Sequence, residues 1–299
     1  MARIASNGIH IEYERSGPKG GTPLLLIHGV GAQLVRWPPS LIAALEAAGF
    51  DVIRFDNRDV GLSTHFDDKG VPDLAAILAA KERGAPLDLP YTLSDMAADT
   101  AGLIDALGLA SAHVVGVSLG GMIAQQLAID HPGRVRSITI VMSHAGNPET
   151  TISDPKALAT LSAPAPDPRA DMEAFVRHSI LLNRTLGGPA YPVGDAQLRA
   201  FAEASAGRAY DPAGAARQLA ASRGASDRRA ALGALDIPTL VIHGADDPLI
   251  GLVGGEDVAR QVPRAWLLTV HGMGHDLPDE LSDLFATSIA ANARRAAGA

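Results

Sequence analysis

The stretch from Val114 to Met122 constrains this chain more than any other. The β-branched run that begins at His113 predicts a short buried strand. Leu119 to Asp130 predicts a helix, with Ile123 and Leu127 spaced for one face. Between them lies Gly116-Val117-Ser118-Leu119-Gly120, a Gly-x-Ser-x-Gly pattern. The chain has to pass from strand to helix within about one residue, which strains the backbone at Ser118. Side chains at positions 116 and 120 would collide across so tight a bend, and glycine has none. The turn lifts the Ser118 hydroxyl off the sheet and sets it at a helix N-terminus. Amide N–H groups and the positive end of the helix dipole there favour a developing negative charge. The pattern is short; the strand before it and the helix after it give it meaning.

Strand and helix signals alternate along much of the chain. Ile9 to Glu14 alternates with period two and reads as an edge strand. Leu24 to Ile27 is a continuous apolar run ending in His28-Gly29-Val30-Gly31, as expected of a strand buried on both faces and followed by a glycine-rich loop. Val52 to Asp56, Val135 to Met142, Thr239 to Ile242 and Trp266 to Val270 read as further strands. Helices are predicted over Pro38 to Ala48, Leu119 to Asp130, Leu252 to Val262 and Asp279 to Ala296. Another follows the capping box Thr92-Leu93-Ser94-Asp95. The Ala-rich stretch Asp73 to Pro90 has no decisive periodicity. Such alternation predicts an α/β fold, a mostly parallel sheet with helices on both faces. Sites in such sheets lie beyond the carboxyl ends of the strands. The loops after Ile27, Val117, Ile242 and Val270 are therefore expected to share one edge.

The alternation stops from Ala145 to about Leu235, where Pro, Ala, Asp and Arg dominate. Two or three amphipathic helices fit there, one carrying Met172, Phe175, Val176, Ser179 and Ile180 and another carrying Leu198 and Phe201. The expected organisation is a core of residues 1–144 and 236–299 interrupted by a helical insertion over 145–235. The net charge of −8 argues against a nucleic-acid or anionic-membrane partner. The absence of cysteine removes disulfides and thiol catalysis. No apolar run has membrane-span length and the N-terminus lacks a secretion signal, so a cytoplasmic location is expected. No His/Asp/Glu cluster has metal-ligand spacing, and no metal site is expected. Oligomeric state has no signature here.

A serine hydroxyl needs a base to become a nucleophile, and the base needs an orienting group. The two last loops supply both: Gly244-Ala245-Asp246-Asp247-Pro248 and Gly272-Met273-Gly274-His275. The chain order Ser…Asp…His differs from that of chymotrypsin and of subtilisin. His271 is a rival base, but it lacks the Gly-x-Gly lead-in of His275. Asp246 and Asp247 are adjacent and leave the strand in different directions, so one of them reaches the imidazole. Pro248 restricts Asp247 to extended backbone, which suits an orienting residue.

On these residues, together with His28 to Gly31 and Phe55-Asp56-Asn57-Arg58-Asp59-Val60-Gly61-Leu62-Ser63, the chain resembles α/β-hydrolase-fold enzymes over nearly its full length, and the esterases similar to aclacinomycin methylesterase in particular. The resemblance implies Ser118 as nucleophile, His275 as base and Asp247 as orienting acid. It implies an oxyanion hole from the Val30 and Leu119 amides, and the insertion as a cap over the pocket. The implied activity is hydrolysis of a small-molecule carboxylic ester through an acyl-enzyme, without a cofactor. The same residues also serve lactone, thioester and carbon–carbon hydrolysis and perhydrolysis, and some proteins of the fold are small-molecule receptors. His28, Gly29, Trp37, Met142 and His144 are candidate substrate contacts, with structural packing the competing reading for His28 and Trp37. The sequence departs from the family where Asp59 replaces a common Gly and Gly251 a common Pro, both outside the implied chemistry.

Overall fold

A computed structural model describes residues 1–150 and 153–297 of the chain. Thr151 and Ile152, inside the expected insertion, lie outside the described residues. The strands are β1 (Ala2–Ser6), β2 (Ile9–Ser16), β3 (Thr22–Ile27), β4 (Phe50–Phe55), β5 (Ala112–Val117), β6 (Val135–Val141), β7 (Thr239–Gly244) and β8 (Ala265–Val270). They form one sheet in the order β1-β2-β4-β3-β5-β6-β7-β8. β2 runs antiparallel to both its neighbours, and every other pair is parallel. Crossover helices cover both faces, so the central strands are buried on both sides and alternate residues serve two cores. Leu25, Ile27, Val114 and Val241 belong to one core. Leu24, Leu26, Val115 and Leu240 belong to the other.

β2 is not the edge strand that its alternation suggests. β1 pairs outside it, through a tight turn at Asn7 and Gly8 with φ of 48° and 77°. Two successive positive φ values call for an Asn-Gly turn, and that dipeptide was the signal for a hairpin. The unassigned stretch after Asp73 contains the helix Leu74–Glu82, started by the Asp73 side chain accepting from the Ala76 amide. The capping box is reciprocal: the Asp95 amide donates to Thr92 Oγ1 and the Thr92 amide to Asp95 Oδ2.

Between β6 and β7 the described residues form five helices and no strand: Pro155–Ser162, Met172–Leu186, Asp195–Arg208, Pro212–Gly224 and Arg229–Leu232. That exceeds the two or three that periodicity suggests. Pro212–Gly224 buries alanines and has no large apolar stripe. Its signal is the Asp211-Pro212 start, an N-cap followed by proline at the first helical position.

Buried polar contacts tie this segment to the loops after β3 and β4. Arg217 donates through Nε and Nη2 to both oxygens of Asp59, at 2.9 and 2.8 Å, with 1% and 0% of the two side chains exposed. Gln218 accepts from the Gly31 amide and donates to the Arg58 carbonyl. Removing one member of a buried pair leaves the other charge desolvated and uncompensated. Asp59→Ala is therefore expected to destabilise the fold by about 3–5 kcal/mol. Urea unfolding midpoints of the two proteins test this; a difference below about 1 kcal/mol would show that Asp211, near the same guanidinium, suffices.

Candidate active site

Ser118 stands between β5 and the helix Leu119–Asp130, with φ 55° and ψ −119°. That is a strained conformation for a residue with a side chain. The surroundings hold it there. The Ser118 amide donates to the Val141 carbonyl at 3.0 Å, and the Ser143 hydroxyl donates to the Ser118 carbonyl at 2.7 Å. A Cβ at Gly116 would run into the Gly120 carbonyl, and one at Gly120 into the Ile27 carbonyl. Both glycines thus let the helix sit directly against strand ends. Leu119 is the first helical residue, so its N–H has no acceptor within the helix.

The loop after β3 lies against the serine. A Cβ at Gly29 would come within 3.2 Å of Ser118 Cβ. The Gly29 amide donates to His28 Nδ1, the Gly31 amide to Gln218 Oε1 and the Ala32 amide to the Gly29 carbonyl. The intervening Val30 amide has no such acceptor among the described residues. His28 is neutral: burial, reinforced by the Arg36 charge, pulls it down to about 3. Its ring packs on Trp37 with centroids 4.8 Å apart.

The loops after β7 and β8 meet. His275 Nδ1 lies 2.8 Å from Asp247 Oδ2. The other oxygen, Oδ1, accepts from the Leu249 and Ile250 amides at 2.8 and 2.9 Å. Asp247 is buried and fully engaged on both oxygens. Asp246 is exposed and accepts from the Gly272 amide at 2.7 Å, bracing one loop against the other. His271 is exposed. His243 is buried and hydrogen-bonds the Ile250 carbonyl through Nε2 at 2.8 Å, with burial pulling it down towards the neutral form.

Ser118 and His275 open into one cavity of about 630 Å³. Among the sequence candidates, His28, Gly29, Val30, Leu119, Met142 and His144 line it. Trp37 does not; it packs beneath His28 in the core with 1% of its surface exposed. His144 is held neutral by burial, at about 3, and its Nδ1 accepts from the Gly146 amide. The insertion supplies the facing wall, including Leu182, Leu186, Leu198 and Phe201. Phe175 instead stacks edge-on against Tyr210. The His275 amide donates to the Leu186 carbonyl at 2.7 Å, so the insertion also fixes the histidine loop.

A family model of the alpha/beta hydrolase fold matches residues 22–280. The chain belongs to this family. Relatives of the hydrolase-fold chain include a rhodomycin D methylesterase of Streptomyces peucetius, 27% identical with 98% of each chain covered. They also include a putative carbamate hydrolase of Variovorax paradoxus, 34% identical over 80% of this chain and 79% of the relative. The esterase RhEst1 of a Rhodococcus species shares the fold with a TM-score of 0.74, at 23% identity and with 98% of each chain covered. No helix among the described residues is long and apolar enough to cross a membrane.

In this hydrolase-fold chain three potential metal ligands converge away from the cavity: Asp59, His65 and Asp211. The Arg217 guanidinium already lies against both carboxylates. Among the cavity-wall residues without a sequence signal of their own are Arg36 and Asp276, each adjoining a residue that has one. Asp276 Oδ1 is buried without a hydrogen-bond partner among the described residues. Burial raises the Asp276 carboxyl to about 6 from an ordinary 3.8. The folded chain then binds this proton more tightly than the unfolded chain, so stability falls as pH rises through that interval. Asp276→Asn is expected to gain melting temperature relative to wild type between about pH 4 and pH 7. A difference that does not change with pH would contradict the assignment.

Proposed function

We propose that the protein is a serine esterase acting on small-molecule carboxylic esters. The carrying observation is the Asp247–His275 pair, 2.8 Å apart, opening into the cavity that also holds the strained Ser118. The methylesterase among the full-length relatives supports an ester as substrate.

The Ser118 hydroxyl attacks the ester carbonyl while His275 Nε2 takes its proton. Asp247 accepts from His275 Nδ1–H, which fixes the tautomer and stabilises the imidazolium. The carbonyl oxygen becomes an oxyanion and accepts from the Val30 and Leu119 amides. His275 returns the proton to the departing alcohol, leaving an acyl group on Ser118. Water, losing its proton to His275, attacks that acyl group and releases the acid and the free serine. The helices between Asp154 and Gly233 act as a cap, their apolar side chains excluding water and shaping the acyl and alcohol sites. His28, Gly29, Met142 and His144 contact substrate beside the serine, and the neutral state of both histidines makes them hydrogen-bonding groups without charge.

Turnover of a panel of methyl, aryl and lactone esters tests the reading. Saturable hydrolysis of open-chain esters is expected, and no turnover of any member would reject it.

A further inference from the structure

The cavity wall carries a cation that the protein itself does not neutralise. Arg36 follows the loop that holds Gly29 and Val30, and it lines the same cavity as Ser118. Its Nη2 donates to Asn183 Oδ1 at 3.2 Å, and its guanidinium carbon lies 5.2 Å from the centre of the Phe201 ring. Asn183 is itself held by donation to the Ser179 carbonyl at 2.7 Å. The guanidinium is therefore fixed in orientation by one neutral acceptor and one aromatic face. No carboxylate among the described residues forms an ion pair with it. Two other basic residues line the cavity: Lys81, which is exposed and donates to the Arg223 and Ala225 carbonyls, and the half-buried Arg223.

This is unusual placement for an arginine. Arg36 is half-buried, and guanidinium groups withdrawn from water are normally matched by a carboxylate or phosphate, because desolvating an uncompensated charge is expensive. Burial does pull Arg36 below its ordinary value, yet an arginine stays protonated. Four of its five N–H donors are not used by the bond to Asn183. The backbone gives the position a second significance. The next residue, Trp37, packs its ring on His28, and His28 Nδ1 accepts from the Gly29 amide. Arg36 thus adjoins the residue that braces the loop carrying the Val30 amide, and it faces the same cavity as the reacting serine.

We propose that Arg36 binds an ionised carboxylate of the substrate, so that the preferred esters are those carrying a second, free carboxylate group. This rests on the esterase reading above and names the substrate class. The apolar wall formed by Leu182, Leu186 and Leu198 accommodates the aliphatic part between the two groups, while the guanidinium fork receives the carboxylate.

The test compares charged and neutral esters of matched length on the intact protein. One arm uses monomethyl esters of aliphatic dicarboxylic acids against methyl alkanoates, placing the charge on the acyl side. The other uses acetate esters of ω-hydroxy acids against alkyl acetates, placing it on the alcohol side. In at least one arm, wild type is expected to favour the charged ester by about tenfold or more in kcat/KM, mainly through KM. Arg36→Gln is expected to reduce that ratio by about 10- to 100-fold, with Arg36→Lys retaining part of it. Free dicarboxylates are expected to compete with a neutral ester in wild type, which reads the site without any variant. Turnover of neutral esters with no charged preference and no such competition would overturn the Arg36 assignment while leaving the esterase reading intact. If wild type cleaves neither class, the esterase reading fails separately, and calorimetry with the dicarboxylate decides Arg36 alone: binding lost in both arginine variants supports it, and binding unchanged or absent overturns it.

Discussion

Ser118→Ala is expected to lower ester turnover by about 10⁶ in kcat. The size follows from what the substitution removes. Without the hydroxyl there is no acyl-enzyme, and water has to attack the ester directly from a site built for a side chain. The Val30 and Leu119 amides and the binding cavity remain, and they sustain the residual rate of about 10³–10⁴ over water that such sites retain. The loss is not additive with loss of the base. Ser118→Ala combined with His275→Ala is expected to be no slower than either alone, because the two act as one unit. Folding is not the explanation, since alanine keeps the Cβ that the turn already accommodates at φ 55°. Steady-state kinetics beside a melting curve checks both statements. A loss of less than about tenfold with the fold intact would mean that another group attacks the ester.

Asp247→Asn is expected to lower kcat by about 10³–10⁴. The side chain keeps its shape but presents an amide, which favours the wrong imidazole tautomer and cannot stabilise the imidazolium. Asp247 also accepts from two backbone amides through Oδ1, so its position is set independently of the histidine. The adjacent Asp246 is the built-in control. It is exposed and its carboxylate accepts from the Gly272 amide rather than from the imidazole. Asp246→Asn is expected to change kcat less than about tenfold, or about 1.4 kcal/mol of barrier. Both variants measured on one ester decide between the carboxylates. A large loss at Asp246 with near-normal Asp247→Asn would reverse their roles.

Local sequence made the strand–turn–helix around Ser118 legible because the elements there are set by short-range sterics. Continuous apolar runs mark the central strands, and only glycine fits where Gly116 and Gly120 meet backbone. The convergence of the loops after β3, β5, β7 and β8 was also readable, since parallel strands put their carboxyl ends on one edge. What escaped depends on long-range packing or on non-periodic signals. β1 was hidden because its strand is short and half-exposed, with the information concentrated in Asn7-Gly8. The helix Pro212–Gly224 was hidden because it packs through alanines and through Arg217 and Gln218, whose partners lie about 160 residues upstream in chain order. Arg36 and Asp276 are unremarkable in sequence. Their character comes from the cavity in which distant segments enclose them. Trp37 shows the converse: a large aromatic beside the site loop invites a substrate-binding role, yet its ring packs under His28.

The proposed chemistry requires one activated serine. The most direct measurement is peptide mapping by mass spectrometry after treating the wild-type protein with a fluorophosphonate. A single stoichiometric adduct is predicted on the peptide containing Ser118, its formation strongly slowed in His275→Ala. An adduct on Ser63 or Ser143, or full ester turnover with Ser118 unmodified, would contradict it.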